Sequence, residues 1–238
     1  MGDGINDQGQ GMAEYEVNGV QLTLPDAMMT DRIKAKLASG GYEAHEARAA
    51  LMRLRAGQRV LELGAGLGYI ATLCSGITGP ENVVTVEANP HMLPVIRANL
   101  ARNDAAAVTL LHGAVTGQAD KGADTIGFQT GSAFWGAHIA TADTRPDAVV
   151  DVPRLVLGDL LARYRPHVVI MDIEGAEEHL FDAPWPAHVR SVMMELHPSR
   201  YSDKVIKRIV DCLSASGMTY DPGPSRGRIL CMRRLRGA

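Results

Sequence analysis

Leu61-Glu62-Leu63-Gly64-Ala65-Gly66-Leu67-Gly68-Tyr69 runs from an apolar strand into a glycine turn. A second apolar run, Val83-Val84-Thr85-Val86, follows and closes on an acid, Glu87. Strand, glycine turn, helix, strand and terminal acid make half of a nucleotide-binding βαβ unit. Glycines let the backbone turn sharply and approach a ligand closely. A helix starting near Gly68 leaves free amide donors at its N-terminus. Glu87 stands where its carboxylate can accept hydrogen bonds from both hydroxyls of a ribose.

The spacing bears on which nucleotide. A dinucleotide fingerprint places a third small residue where helix packs on strand. Here the glycines fall at 64, 66 and 68, and the next position is the bulky Tyr69. Glu62 also suits a positively charged ligand better than a pyrophosphate. S-adenosylmethionine carries an amino group, a sulfonium and a ribose, and no phosphate. E-x-G-x-G followed by a ribose acid therefore predicts a class I methyltransferase. Two other readings compete with it. An NAD-dependent oxidoreductase is disfavoured by Tyr69. A methyltransferase-like module that binds without catalysing shares the same loop, and only turnover separates it.

The bulk composition narrows the setting. The 238 residues fit one α/β domain with a short N-terminal addition, and 46% hydrophobic content fills a core. A net charge of −3 gives no overall field favouring nucleic acid. The arginines at 226, 228, 233, 234 and 236 read as the solvent side of a last strand. Three cysteines without metal-type spacing read as reduced thiols. The polar start resembles neither a signal peptide nor a myristoylation site, and no apolar run reaches membrane-spanning length. A cytoplasmic protein with no nucleic-acid or membrane partner is expected; a homodimer is compatible with this.

Along the chain, residues 1–12 read as disordered and 13–57 as a strand and helix extension, with a strand pair around Asn18-Gly19. Helices are expected over Asp26 to Ala38 and Glu43 to Leu54. Residues 58–238 read as a Rossmann-like domain: a mostly parallel seven-stranded sheet, helices on both faces, and a C-terminal antiparallel hairpin. The predicted strands are 59–63, 83–87, 108–111, 168–172 and 192–196, and the hairpin lies within 220–233. The helices between them are 69–77, 91–103, 176–181 and 203–216. An insertion at 115–152 breaks the rhythm. It is polar yet carries Phe128, Phe134 and Trp135, and its pieces 125–128 and 148–152 can pair as strands. Aromatics in such a segment point to a substrate wall, to which Phe134 and Trp135 are assigned.

Ligands of an open parallel sheet bind beyond the carboxyl ends of its strands. Those ends carry Glu62, Glu87, His112-Gly113, Asp172 and Glu195-Leu196-His197. His197 is the candidate general base, since an imidazole titrates near neutrality. Asp172 is expected to position the acceptor or fix the His197 tautomer, and Glu174 and Glu195 to meet the substrate. Glu177 and Glu178 suit the start of a helix by its dipole alone. A rival arrangement gathers Asp172, Glu174, Glu195 and His197 around Mg²⁺, but the spacing fits no standard site and no metal is assigned.

Val169-Ile170-Met171-Asp172-Ile173-Glu174-Gly175-Ala176-Glu177, followed by Met194-Glu195-Leu196-His197-Pro198, resembles the FkbM family of methyltransferases. Gly41-Tyr42-Glu43 and Leu157-Gly158-Asp159-Leu160-Leu161 extend the resemblance over about residues 40–200. It implies a Rossmann-like fold, S-adenosylmethionine as cofactor, and O-methylation of a hydroxyl on a sugar or secondary metabolite. It also implies cofactor contacts at Tyr42, Glu43, Glu62, Gly64, Gly66, Glu87, Ala88, Gly113, Ala114 and Asp172. Ala65, Tyr69 and Asn89 are assigned beside them.

Overall fold

The computed structural model describes residues 11–117, 122–130, 138–140 and 144–235. Its centre is a seven-stranded sheet. In chain order the strands are β3 (Val60–Leu63), β4 (Val83–Glu87), β5 (Thr109–His112), β10 (Val168–Met171), β11 (Ser191–Glu195), β12 (Met218–Tyr220) and β13 (Ile229–Arg234). Their order across the sheet is β12-β13-β11-β10-β3-β4-β5, with β13 antiparallel to both neighbours and the rest parallel. The chain therefore has the Rossmann-like class I methyltransferase fold, ending in an antiparallel hairpin. The strand order reverses between β3 and β10, so the ligand crevice opens there.

Alternation along the strands builds two cores. Leu61, Leu63, Val169, Met171, Val192 and Met194 face one side, where α5 (Leu157–Tyr164) and α6 (Asp203–Ala215) cover them. Val60, Ile170 and Met193 face the other, beneath α2 (Ala44–Arg53), α3 (Tyr69–Thr78) and α4 (Leu93–Arg102). Side chains two apart share a face, so Glu62 belongs to the second side. Ala47, Ala49 and Ala50 let α2 lie close to the sheet. Arg53 anchors that helix, reaching both oxygens of the buried Asp221 at 2.6 and 2.7 Å.

The N-terminal extension is a hairpin, β1 (Met12–Val17) and β2 (Val20–Pro25), followed by α1 (Asp31–Ala38). Met12, expected at the end of a disordered stretch, opens β1. Asn18 and Gly19 both have positive φ, as a two-residue hairpin turn requires. The insertion forms a second sheet of β6 (Ala114–Thr116), β7 (Thr125–Gln129), β8 (His138–Ile139) and β9 (Val149–Val156), in the order β6-β9-β7-β8. The expected pairing of 125–128 with 148–152 is the antiparallel β7–β9 ladder. Phe134 and Trp135 lie outside the described residues.

Two local expectations are corrected. The helix predicted from Ala176 to Phe181 is a single 3₁₀ turn, Ala176–His179, cut short before Pro184 and Pro186. The stretch Leu157–Tyr164, quoted only for a motif, is the amphipathic helix α5. Arg234 does not face solvent freely: it donates to the carbonyls of Val189, Ser216 and Pro186, while Arg228 pairs with Glu195. Arg236 lies outside the described residues. Among the described residues no helix is long and apolar enough to cross a membrane.

One buried side chain joins the hairpin to the glycine turn. Asn99 of α4 is fully buried. Its carbonyl accepts from Thr23 N and Oγ1 at 2.8 and 2.9 Å, and its amide donates to Thr23 O and Leu67 O at 3.1 and 2.9 Å. Removing it strands several buried polar groups at about 1–3 kcal/mol each. Asn99→Ala is expected to lower unfolding free energy by about 3 kcal/mol, read from urea titration. A loss below about 1 kcal/mol would show the network to be dispensable.

Candidate active site

The crevice at the strand reversal is a cavity of about 620 Å³. Its floor is the glycine turn. Gly64 has φ +91°, and a Cβ there would stand 2.0 Å from the carbonyl oxygen of Asp172. Gly66 has φ +54°, and a Cβ there would meet Tyr42 Oη at 2.8 Å and Glu43 Oε1 at 2.9 Å. Only glycine fits either place. The turn is pressed between the end of β10 on one side and the segment before α2 on the other. Glu43 itself holds a left-handed backbone, φ +45°, at the start of α2.

Glu87, at the tip of β4, lines the cavity. One carboxylate oxygen accepts from Gly66 N at 3.2 Å and the other from Asn89 N at 2.7 Å. Burial pushes its carboxyl up to about 7, against the pull of those backbone amides. Around it the wall is apolar: Ala88, Met92, Val115, Phe128 and Ile139. Phe128 and Ile139 come from the insertion, and Phe128 packs in one cluster with Ala114, Val152 and Ala88. The insertion therefore closes the cavity at the Glu87 end.

The opposite end is acidic. Glu46 of α2, Asp172 and Glu174 after β10, and Glu195 at the tip of β11 all line it. Oxygens of Glu46, Asp172 and Glu195 gather within 4.8 Å of one another. Burial and then Glu195 raise Asp172 to about 8, although His197 pulls the other way. Burial raises Glu46 as well, helped by Glu195. His197 is 4% exposed. Its Nε2 lies 3.4 Å from Asp172 Oδ1 and 3.7 Å from Glu174 Oε2, and its Nδ1 lies 3.2 Å from Glu177 Oε1. Burial alone would lower this imidazole. The approach of Glu177 and the charges of Glu177, Asp172 and Glu174 outweigh it and hold the group at about 9.

The cavity thus brings together Tyr42, Glu43, Gly64, Gly66, Glu87, Ala88, Ala114, Asp172, Glu174, Glu195 and His197. Five other assigned residues stand behind its wall. Glu62 is buried between sheet and α3, where Thr85 Oγ1 donates to it and burial raises its carboxyl to about 8. Strand alternation puts it on the α2 side, near enough to Glu43 and Glu87 for their charges to act on one another. Tyr69 is buried under the turn, its hydroxyl accepting from Asn18 Nδ2 at 2.6 Å. Ala65 is fully buried, Asn89 caps the turn after β4 by accepting from His91 N, and Gly113 lies against Pro153. Glu46 and Glu177 were not assigned from sequence. Glu46, in the first turn of α2, lies three residues after Glu43, and a second acid so near the motif was a usable signal.

Ligand atoms of Asp172, Glu177 and His197 also lie within 4.8 Å of one another, close enough to be bridged by a metal ion. However, Glu177 already accepts from Ile173 N and Gly175 N, at 3.0 and 2.8 Å, and Glu195 pairs with Arg228 at 2.5 Å.

The protein-L-isoaspartate(D-aspartate) O-methyltransferase family matches residues 29–138 of this chain. This match runs from the segment before α1 to β8 and stops short of Asp172. A protein-L-isoaspartate O-methyltransferase of Methanothrix thermoacetophila is 42% identical over 53 residues, 22% of this chain and 25% of that protein. Among solved structures, precorrin-6y C5,15-methyltransferase of Geobacter metallireducens aligns with TM-score 0.44 and 16% identity, over 81% of this chain and 87% of that one. An O-methyltransferase of Bacillus cereus in complex with SAH aligns with TM-score 0.41 and 11% identity, over 88% and 83%. The family matched is not the FkbM family that the motifs resemble.

The buried acids make stability depend on pH. Glu62, Glu87 and Asp172 have folded values of about 8, 7 and 8, all above their unfolded ones. The folded chain therefore binds more protons, and the stability this confers is whole below about pH 4 and lost as pH rises through 7 to 8. His197, also raised, acts in the same direction. The melting temperature is expected to fall from pH 6 to pH 9, and Glu62→Gln to fall less. An equal drop in that variant would clear Glu62 of any part in the slope.

Proposed function

We propose that this chain is an S-adenosylmethionine-dependent methyltransferase that methylates a hydroxyl of a small molecule, a sugar or secondary metabolite, in the cytoplasm. The observation that carries the reading is Glu87 facing a cavity floored by two glycines that admit no side chain. An acid fixed by backbone amides beside a glycine turn is suited to accept from ribose hydroxyls. The apolar wall of Ala88, Met92, Val115 and Phe128 suits an adenine ring, and the carboxyls of the far end suit a cation. Held there, the cofactor supplies a methyl group on a positively charged sulfur.

The residues of the acidic end then face the acceptor. Asp172 and Glu174 are the groups through which a hydroxyl can be aligned, and alignment supplies the larger part of such a rate. The acceptor oxygen gives its electron pair to the methyl carbon, the pair of the broken C–S bond stays on sulfur, and the hydroxyl proton leaves to a carboxylate. We assign that proton to Asp172. Both ring nitrogens of His197 face carboxylates, so it has no lone pair for the acceptor. A positioned base of this kind contributes about 10²–10⁴-fold. The reading assigns no metal, because Glu177 and Glu195 already have partners.

A second reading takes the acceptor from the name of the matched family, a protein carboxyl. The matched residues support the cofactor half, with its glycine turn and Glu87. Asp172, beside Glu46, Glu174 and Glu195, offers a hydroxyl a proton acceptor, which supports the hydroxyl reading.

Calorimetry with S-adenosylmethionine tests the cofactor. Losing a charged acceptor costs about 1.5–3 kcal/mol, so Glu87→Ala should bind roughly tenfold to a hundredfold more weakly while still folding. Because Glu87 must be ionised to accept, wild-type affinity should be about tenfold lower at pH 6 than at pH 8. Unchanged affinity in the variant would place the ribose elsewhere. Transfer of labelled methyl to a panel of sugars and polyols, in chelator and against an isoaspartyl peptide, distinguishes the acceptors. Labelling of the peptide alone would overturn the hydroxyl reading, and loss of rate in chelator the metal-free one.

A further inference from the structure

Glu177 is fully buried, next in the chain to the cavity-lining Ala176, in a segment whose other acids reach solvent or the cleft. Its two carboxylate oxygens are held by Ile173 N and Gly175 N, which fixes the side chain under the loop after β10. From there Oε1 faces His197 Nδ1 at 3.2 Å, and His197 Nε2 in turn faces Asp172 at 3.4 Å. The backbone of His197 is also tied down, its N–H donating to Tyr201 Oη at 2.8 Å. Carboxyl, imidazole and carboxyl thus stand in a row leading from the interior to the cavity wall.

Resting on the methyltransferase reading, we propose that Glu177 is the positioning residue of this row, holding His197 as a cation behind Asp172. Asp172 is surrounded by acids: Glu46 on α2, Glu195 on β11 and Glu174 on its own loop. Each of them favours its neutral form, which cannot take a proton. A cationic imidazole 3.4 Å away is the charge that opposes them. The other groups facing His197 are Glu174 and Arg200, themselves 3.9 Å apart, and the buried phenol of Tyr201. A neutral histidine would push Asp172 further toward the carboxylic acid, so it would become a base only at a higher pH. Glu177 touches neither cofactor nor acceptor; it acts through His197.

The test needs no acceptor. In full-length protein with labelled histidine, the His197 ring signals are followed by NMR from pH 5 to 10. We expect His197 to remain charged beyond pH 8, and Glu177→Gln to lower its midpoint by more than one pH unit. Asp172 should then lose its proton at a higher pH in the variant than in the wild type. A wild-type His197 titrating near its ordinary 6.5 overturns the proposal even if Glu177→Gln does not fold, as does a folded variant with an unmoved midpoint. Calorimetry with S-adenosylmethionine on the same samples keeps the two claims apart. Absence of binding overturns the methyltransferase reading. Binding by a protein whose His197 is ordinary overturns only the role of Glu177.

Discussion

The crevice depends on an atom that is missing. At Gly64 a side chain would fall 2.0 Å from the backbone oxygen of Asp172, so the ends of β3 and β10 can meet only because nothing is there. The strand order reverses between these two strands, and the gap between their ends is the cavity. Gly66 repeats the constraint one step on, against Tyr42 and Glu43. Backbone packing of this kind leaves the turn little freedom to adjust. A substitution at Gly64 must push apart the strand ends that carry the acids, so it should disturb both ends of the cavity at once.

Electrostatics give the cavity its polarity. At one end, backbone amides hold Glu87 between apolar walls; at the other, carboxyls crowd, with Arg228 on Glu195 and Arg200 near Glu174. Desolvation dominates at each of Glu62, Glu87 and Asp172 and draws all three toward the protonated state. A cation arriving in such a site meets groups that ionise as it binds. The free protein is more comfortable than the loaded one at mildly acid pH. That is the opposite of the usual carboxylate, which is stabilised by its charge.

Much of this was legible in the residues. β4 ends at Glu87 as predicted, β3 and β10 differ by one residue from their predicted spans, and the pairing within the insertion follows from two short apolar runs. Periodicity and terminal residues carry that information locally. Glu62 shows where local reading stops. Motif spacing pointed it at a ligand, and alternation with Leu61 and Leu63 puts it, buried, on the α2 side of the sheet. Its hydrogen-bond partner, Thr85 on β4, is a tertiary contact that the spacing does not show. Glu177 failed differently. An acid at the start of a helix is explained by the dipole, and only the tertiary approach of the segment after β11 reveals the imidazole beside it. Glu46 likewise depends on how α2 meets β11. Contacts between distant segments leave no periodic trace.

The carboxamide of Asn99 bonds to the hairpin at Thr23 and to the glycine turn at Leu67 with the same amide group. Each takes one of the two N–H donors of a single planar group, so rotating the carboxamide away from one partner moves it off the other. The hairpin and the turn should therefore open as one cooperative unit, with the N-terminal strands acting as a latch on the floor of the cavity. Amide exchange at Thr23 and in the glycine turn would then slow together whenever a ligand occupied the cleft, although the strands themselves lie outside it.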